Sequence, residues 1–395
     1  MIKLLSTRVP RLRKITKLGK NCVKLGSKHV NVQLCTSLLR SAFQQKFKIL
    51  FLCLGICLVL YCEWLCFIIS PLYWPSLSFT QTHQTFYRVL IVADPQILGE
   101  RNEKPIARWD NDRYLSKTYS KAFSYIKPDL VIFLGDIMDE GHISHDEHFF
   151  KYLARVRQIF QLDKLAPHQR VLFLPGDNDV GGEEDEVSLN KLNRFNNHFN
   201  VTGLSGLSVY GGIQFVVVNK LARTYPSMAG QPNNTMRIVL SHQPVLTPQS
   251  EFGYEIISQL HPSLVMSGHE HTSTHIIWET LEDPLYGRSR VEEYISNAHT
   301  GSSLWRLNVE ERSVGQEVVV PTCSYRMGVP HMAYGFMFID KDRSIINYGL
   351  LWLPPRLFHI FLYIAYLVTA CFISIVKYKT SSTDILNVRK YYHNV

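Results

Sequence analysis

The chain has 395 residues, 46% of them hydrophobic and 19% charged, which excludes a disordered protein and allows one large domain or two ordinary ones. Its formal charge of +9 is concentrated at the ends: residues 1–48 hold twelve Lys/Arg and no acid, and the last nineteen hold four against Asp384. Everything between is net acidic, so no nucleic-acid partner is expected.

Behind the basic arm of residues 1–48, Ile49 to Ser70 is apolar except for Glu63, and Leu357 to Val376 carries no charge. As helices of about 20 residues, both runs match a hydrocarbon core of about 30 Å. The first lies too far from residue 1, and is too long, for a signal peptide. The expectation is an integral membrane protein with transmembrane helices at residues 49–70 and 357–376. The basic arm 1–48 and the tail 377–395 then face the cytoplasm, and residues 71–356 form a lumenal domain. The sequons at Asn200 and Asn233 fall in that domain as candidate glycosylation sites. Cys323 is its single cysteine, which leaves no partner for a disulfide inside it.

Within residues 71–356, short apolar runs alternate with longer amphipathic stretches. Strands are expected at Val89–Ala93, Leu130–Leu134, Val171–Leu174, Phe215–Val218, Arg237–Leu240 and Leu264–Met266. Helices are expected at Asn111–Lys127, Asp146–Gln161, Ser188–His198 and Glu251–Leu260. Such alternation argues a layered α/β domain.

Five polar clusters each follow one of these runs: Asp94-Pro-Gln96, Gly135-Asp136-Ile-Met-Asp139, Gly176-Asp177-Asn178-Asp179, Ser241-His242 and Gly268-His269-Glu-His271. Any one of them is an ordinary turn or a structural histidine. In series, at the carboxyl edge of a sheet, they gather carboxylates and imidazoles suited to two divalent first-row ions and to displacement at phosphorus.

The series resembles the calcineurin-like metallophosphoesterases, with their pattern D-x-H, G-D-x-x-D, G-N-H-[DE], H and G-H-x-H. The resemblance implies a four-layer α/β/β/α sandwich, here flanked by two transmembrane helices. It also implies a binuclear site in which Asp94, Asp136 and His271 hold one metal, Asp136 bridges, and Asp177, His242 and His269 hold the other. The motifs around Asp94 and Asp136, the segment Val320–Met327 and the two apolar runs resemble a narrower branch, the metallophosphoesterase 1 and cell-division-control type. That branch implies a manganese-dependent phosphodiesterase of the endoplasmic reticulum, its exit sites or the Golgi. Its substrates are membrane-embedded glycosylphosphatidylinositol (GPI) anchors or anchored proteins, from which it removes ethanolamine phosphate, assisting their transport. Two positions depart from the family pattern. Gln96 replaces a His ligand and reads as a residue behind the ligands. Asn178 stands where the catalytic His is expected; it cannot donate a proton as a His⁺ would, and an order swap would make it a ligand in place of Asp177. These departures leave open another lipid or nucleotide phosphoester as substrate, or an adaptor or cargo receptor with the same fold. His142, His145 and His148 read as surface histidines.

Overall fold

The computed structural model describes residues 28–77, 86–182, 186–199, 205–220, 222–228, 235–279, 288–293, 304–309, 314–340 and 345–393. Asn200 and Asn233 lie outside the described residues. The described residues divide into two compact units, one of residues up to Glu63 with those from Leu362 onward, the other Trp64–Phe361.

In the larger unit, β1 (Phe86–Val92), β2 (Leu130–Phe133) and β3 (Arg170–Phe173) are parallel neighbours. They are followed by β4 (Gly206–Tyr210), β5 (Ile213–Val217), β6 (Arg237–Leu240), β7 (Leu264–Ser267), β8 (Thr274–Glu279), β9 (Arg288–Glu293) and β10 (Leu304–Asn308). The last strands are β11 (Val314–Val319), β12 (Ala333–Asp340) and β13 (Ile345–Trp352). Two sheets result, ordered β10-β13-β12-β1-β2-β3 and β4-β5-β6-β7-β11-β8-β9. All six expected apolar runs lie on strands. The strands β4 and β8 to β13 were not expected, and β12 completes the first sheet by pairing antiparallel with β1 from Phe86↔Asp340 to Ile91↔Gly335.

The two-residue period of a strand sorts its side chains to opposite faces. Along β1, Val89 and Ile91 enter a cluster with Phe215, Ile238, Met266 and Val318 from the other sheet, which is the core between the sheets. Leu90 and Val92 enter another cluster, shared with helices α1 (Pro105–Ile126), α2 (Asp146–Ile159) and, beyond the short turn α3 (Asp177–Val180), α4 (Leu189–Phe199). On the outer face of the second sheet, Val216, Val239 and Val265 pack against Phe252, Ile256 and Leu260 of α5 (Glu251–Glu255) and the π turn that follows it. The chain therefore has a mixed α/β fold of two sheets with helices on their outer faces. Helix α1 begins six residues before its expected start, because Pro105 in the first turn needs no N–H partner and its fixed φ suits helix entry.

The apolar runs are helical. Gln44–Tyr73 and Arg356–Lys379 are each long and apolar enough to cross a membrane. In the smaller unit Tyr366 stacks on Phe51 with centroids 4.6 Å apart, and the Tyr363 hydroxyl donates to Glu63 Oε1 at 2.9 Å.

Candidate metal centre

The parallel strands β1, β2 and β3 of one sheet, and β6 and β7 of the other, deliver their next residues to a common edge. The loops after β1 and β2 are tied together, since the amides of Gln96 and Ile97 donate to the carbonyls of Asp136 and Ile137 at 3.0 and 2.9 Å. Asp94, Gln96, Asp136, His269 and His271 all have positive φ, between 41° and 68°. A non-glycine residue held there costs about 1–3 kcal/mol, and five such residues in one edge mark strain concentrated at a functional site. Two glycines make the approach possible. A Cβ on Gly135 (φ 93°) would run into the His242 ring, and one on Gly176 would overlap the Asp136 carboxylate.

The structure brings all six sequence-assigned ligands to this edge. Ligand atoms of Asp94, Asp136 and His242, and again of Asp177, His242 and His269, lie within 4.8 Å of one another. His242 Nε2 is 2.9 Å from Asp177 Oδ1 and 3.3 Å from Asp136 Oδ1, so this imidazole faces both groups. Its other nitrogen, Nδ1, lies 2.8 Å from the Leu134 carbonyl, a bond that fixes the ring and leaves Nε2 toward the carboxylates. His269 Nδ1 is 3.2 Å from Asp177 Oδ1, while its backbone N–H donates to Asp94 Oδ2 at 3.0 Å. His271 Nε2 lies 3.7 Å from Asp94 Oδ1.

Gln96 and Asn178 both touch the Asp136 carboxylate. Gln96 Nε2 donates to Asp136 Oδ2 at 3.1 Å and lies 3.4 Å from His271 Nε2. Asn178 donates to Asp136 twice, from its backbone N–H to Oδ1 at 3.0 Å and from Nδ2 to Oδ2 at 2.7 Å. Of the three spaced histidines, His142 places Nδ1 3.1 Å from the Asn178 carbonyl, while His148 lies beside Glu100 at 3.8 Å.

The electrostatics suit cations. Burial, opposed by His242 and reinforced by Asp136, pushes Asp94 up to about 7, and burial likewise raises Asp136. Burial also disfavours the charged form of Asp177, but hydrogen bonds from His242 and His269 outweigh it and hold that carboxyl well below the usual range. Burial works against a protonated His242, yet Asp136 and Asp177 raise it well above its ordinary value. His271 is lowered to about 4 by burial and by its two histidine neighbours, so it stands neutral with an available lone pair. Asp94 is fully buried, and His242 and His269 lie against the buried acids. Such a set of oxygen and nitrogen donors fits two divalent ions, which would displace the imidazolium protons and relieve the repulsion among the acids.

Residues 87–273, the stretch that contains every one of these groups, match the family signature of the calcineurin-like phosphoesterases. The chain carries a calcineurin-like metallophosphoesterase domain. It is similar to Cell division control protein 1 of Saccharomyces cerevisiae, 25% identical over 290 residues, covering 67% of this chain and 58% of that one. It is also similar to Metallophosphoesterase 1 of Xenopus laevis (28% identical, 41% of each chain covered) and to the Metallophosphoesterase 1 homolog of Drosophila melanogaster (26%, covering 42% of this chain and 44% of that one). The match spans less than two thirds of the length of each of these relatives.

The metallophosphoesterase site has supports that sequence reading missed. Asp179 accepts from the amides of Ile137, Met138 and Gly176 at 3.1, 2.9 and 2.9 Å, clamping the Asp136 loop to the Asp177 loop. Thr322 Oγ1 donates to the Asp94 carbonyl at 2.7 Å, so the segment after β11 backs the first ligand. Glu317 on β11 is fully buried; it accepts from Val245 N at 2.9 Å, Leu246 N at 2.7 Å and Ser267 Oγ at 2.7 Å, holding the loops that carry His242 and His269. Lys220 Nζ donates to the carbonyls of Pro244 and Thr247, and Lys220 shares a small cavity with Asp177, Ser241 and His242. A charged residue inside an apolar run, as Glu317 is, was the available signal for the third of these.

Proposed function

We propose that the chain is a binuclear, manganese-dependent phosphodiesterase of the secretory pathway. In this reading two transmembrane helices anchor it with the site on the lumenal side, and it removes ethanolamine phosphate from GPI anchors. The observation that carries the phosphodiesterase reading is His242 facing two groups of buried acids and imidazoles at one sheet edge. The substrate is supported by the branch resemblance and by two helices of membrane-crossing length, which would hold the site beside a membrane-borne phosphoester.

Asp94, Asp136 and His271 would hold one ion and Asp177, His242 and His269 the other, with Asp136 shared. When bound, two such ions acidify water and neutralise charge on the phosphoryl oxygens. The protein's own part is orientation. Leu134 fixes the His242 tautomer, Gln96 and Asn178 hold the shared carboxylate, and Asp179 keeps the two loops in register. Asn178 Nδ2 can hold an oxygen but has no proton to give to a departing alkoxide.

Asn178→His is therefore expected to raise kcat on alkyl phosphodiesters by up to about 10²-fold while changing nitrophenyl ester turnover little, because nitrophenolate leaves without a proton. Equal effects on both esters would contradict this role for position 178. In cells lacking the protein, mass spectrometry of released anchors should show retained ethanolamine phosphate on the glycan. Anchors identical to those of the parent cells would contradict the substrate.

A further inference from the structure

Within the larger unit, Phe67 from the end of the first apolar segment and Pro354 and Arg356 at the start of the second pack on one element, α1. At the end of the first, Phe67 packs edge-on against Tyr114 of α1, ring centroids 6.0 Å apart, and Lys117 Nζ of α1 lies 4.9 Å over the Phe67 ring. Where the second begins, Arg356 forms an ion pair with Asp110 of α1, its Nε donating at 3.0 Å, and the Tyr114 hydroxyl donates to the Pro354 carbonyl at 2.9 Å. Asp110 and Lys117 are seven residues, about 10 Å, apart on one helix. One helix of the larger unit thus packs against the end of one apolar segment and the start of the other.

The first two turns of α1 expose apolar side chains. Ile106, Trp109 and Arg113 follow one helical stripe at spacings of three and four. Ile106 is 68% and Trp109 58% exposed, and the Arg113 guanidinium lies 5.2 Å over the Trp109 ring. Lys104 precedes the helix and is also exposed. The exposed Phe358 and Leu72 of the two apolar segments continue the apolar character. Tryptophan with flanking Lys and Arg is the composition of the membrane–water interface, where the ring sits among headgroups and the cations reach lipid phosphates.

We propose that the N-terminal half of α1, through Ile106 and Trp109 with Lys104 and Arg113, inserts shallowly into the lipid headgroup layer. This rests on the membrane-anchored reading. The consequence is orientation: residues 96–104 join the Asp94 loop to α1, so a seated α1 fixes the tilt of the metal edge toward a substrate held in the same leaflet.

The test uses the full-length protein in vesicles of phosphatidylcholine brominated near the top of its acyl chains, with Trp109→Phe as partner and nitrophenyl phosphodiester turnover as the folding control. The wild type should resist alkaline carbonate extraction, and the emission lost in Trp109→Phe should be emission that the brominated lipid quenches. A carbonate-resistant protein whose Trp109 emission is the same in brominated and plain vesicles would overturn the seating of α1 and leave the anchoring intact. A protein extracted by carbonate would overturn the anchoring and the seating with it.

Discussion

Asp136→Asn should reduce phosphodiester turnover by more than about 10²-fold and strip bound metal in the same variant. Asp136 is 2% exposed and belongs to the group with Asp94 and His242, with His242 Nε2 at 3.3 Å and the donors of Gln96 and Asn178 on its oxygens. Asn keeps the shape but removes the charge that two cations would share. It also offers only one acceptor oxygen where the carboxylate now receives Asn178 N on Oδ1 and two amide donors on Oδ2. Turnover and metal content measured on one preparation check this, and an active variant with normal metal would contradict the assignment.

Glu317→Ala should lower stability by about 3 kcal/mol and reduce turnover on every ester alike. The carboxylate is fully buried and takes two amides of the loop after His242 together with the Ser267 hydroxyl, two residues before His269. Truncation orphans three buried donors, each costing about 1–3 kcal/mol, offset in part by removal of a buried charge. Burial, resisted by these hydrogen bonds, raises the Glu317 pKa above its ordinary value. A group with a raised folded pKa stabilises most when protonated, and that contribution is lost as pH rises. The gap in stability between wild type and Glu317→Ala should therefore narrow as pH climbs past the ordinary glutamate range. Denaturant unfolding across pH measures it; a gap that widens would contradict the burial argument.

The ligand edge was legible because parallel strands buried on both faces read as plain apolar runs, as Leu130–Phe133 and Leu264–Met266 do, and their ends are where side chains converge. The later strands were not. The antiparallel partner of β1 is β12, about 250 residues away, and nothing local to Ala333–Asp340 announces that pairing. The positive φ angles of Asp94, Asp136 and His271 were hidden for a similar reason, since the sequence shows glycine beside them but not the loop contacts that hold a non-glycine residue in that region. Asp179, whose carboxylate gathers three amides, looked like a repeated acid in a motif. Lys220 and Glu317 acquire their partners only when two loops close over them. The stripe on α1 was missed because Pro105 starts that helix before the expected residue 111 and so adds Ile106 and Trp109 to it.

Elemental analysis of the purified full-length chain, paired with turnover before and after chelation, addresses the binuclear site most directly. Two divalent ions per chain, activity lost and unfolding temperature lowered on chelation, and both restored by manganese, is the expected result, since binding to the folded state alone adds stability. Full phosphodiester turnover in protein with less than one ion per chain, or two bound ions without any phosphoester turnover, would contradict it.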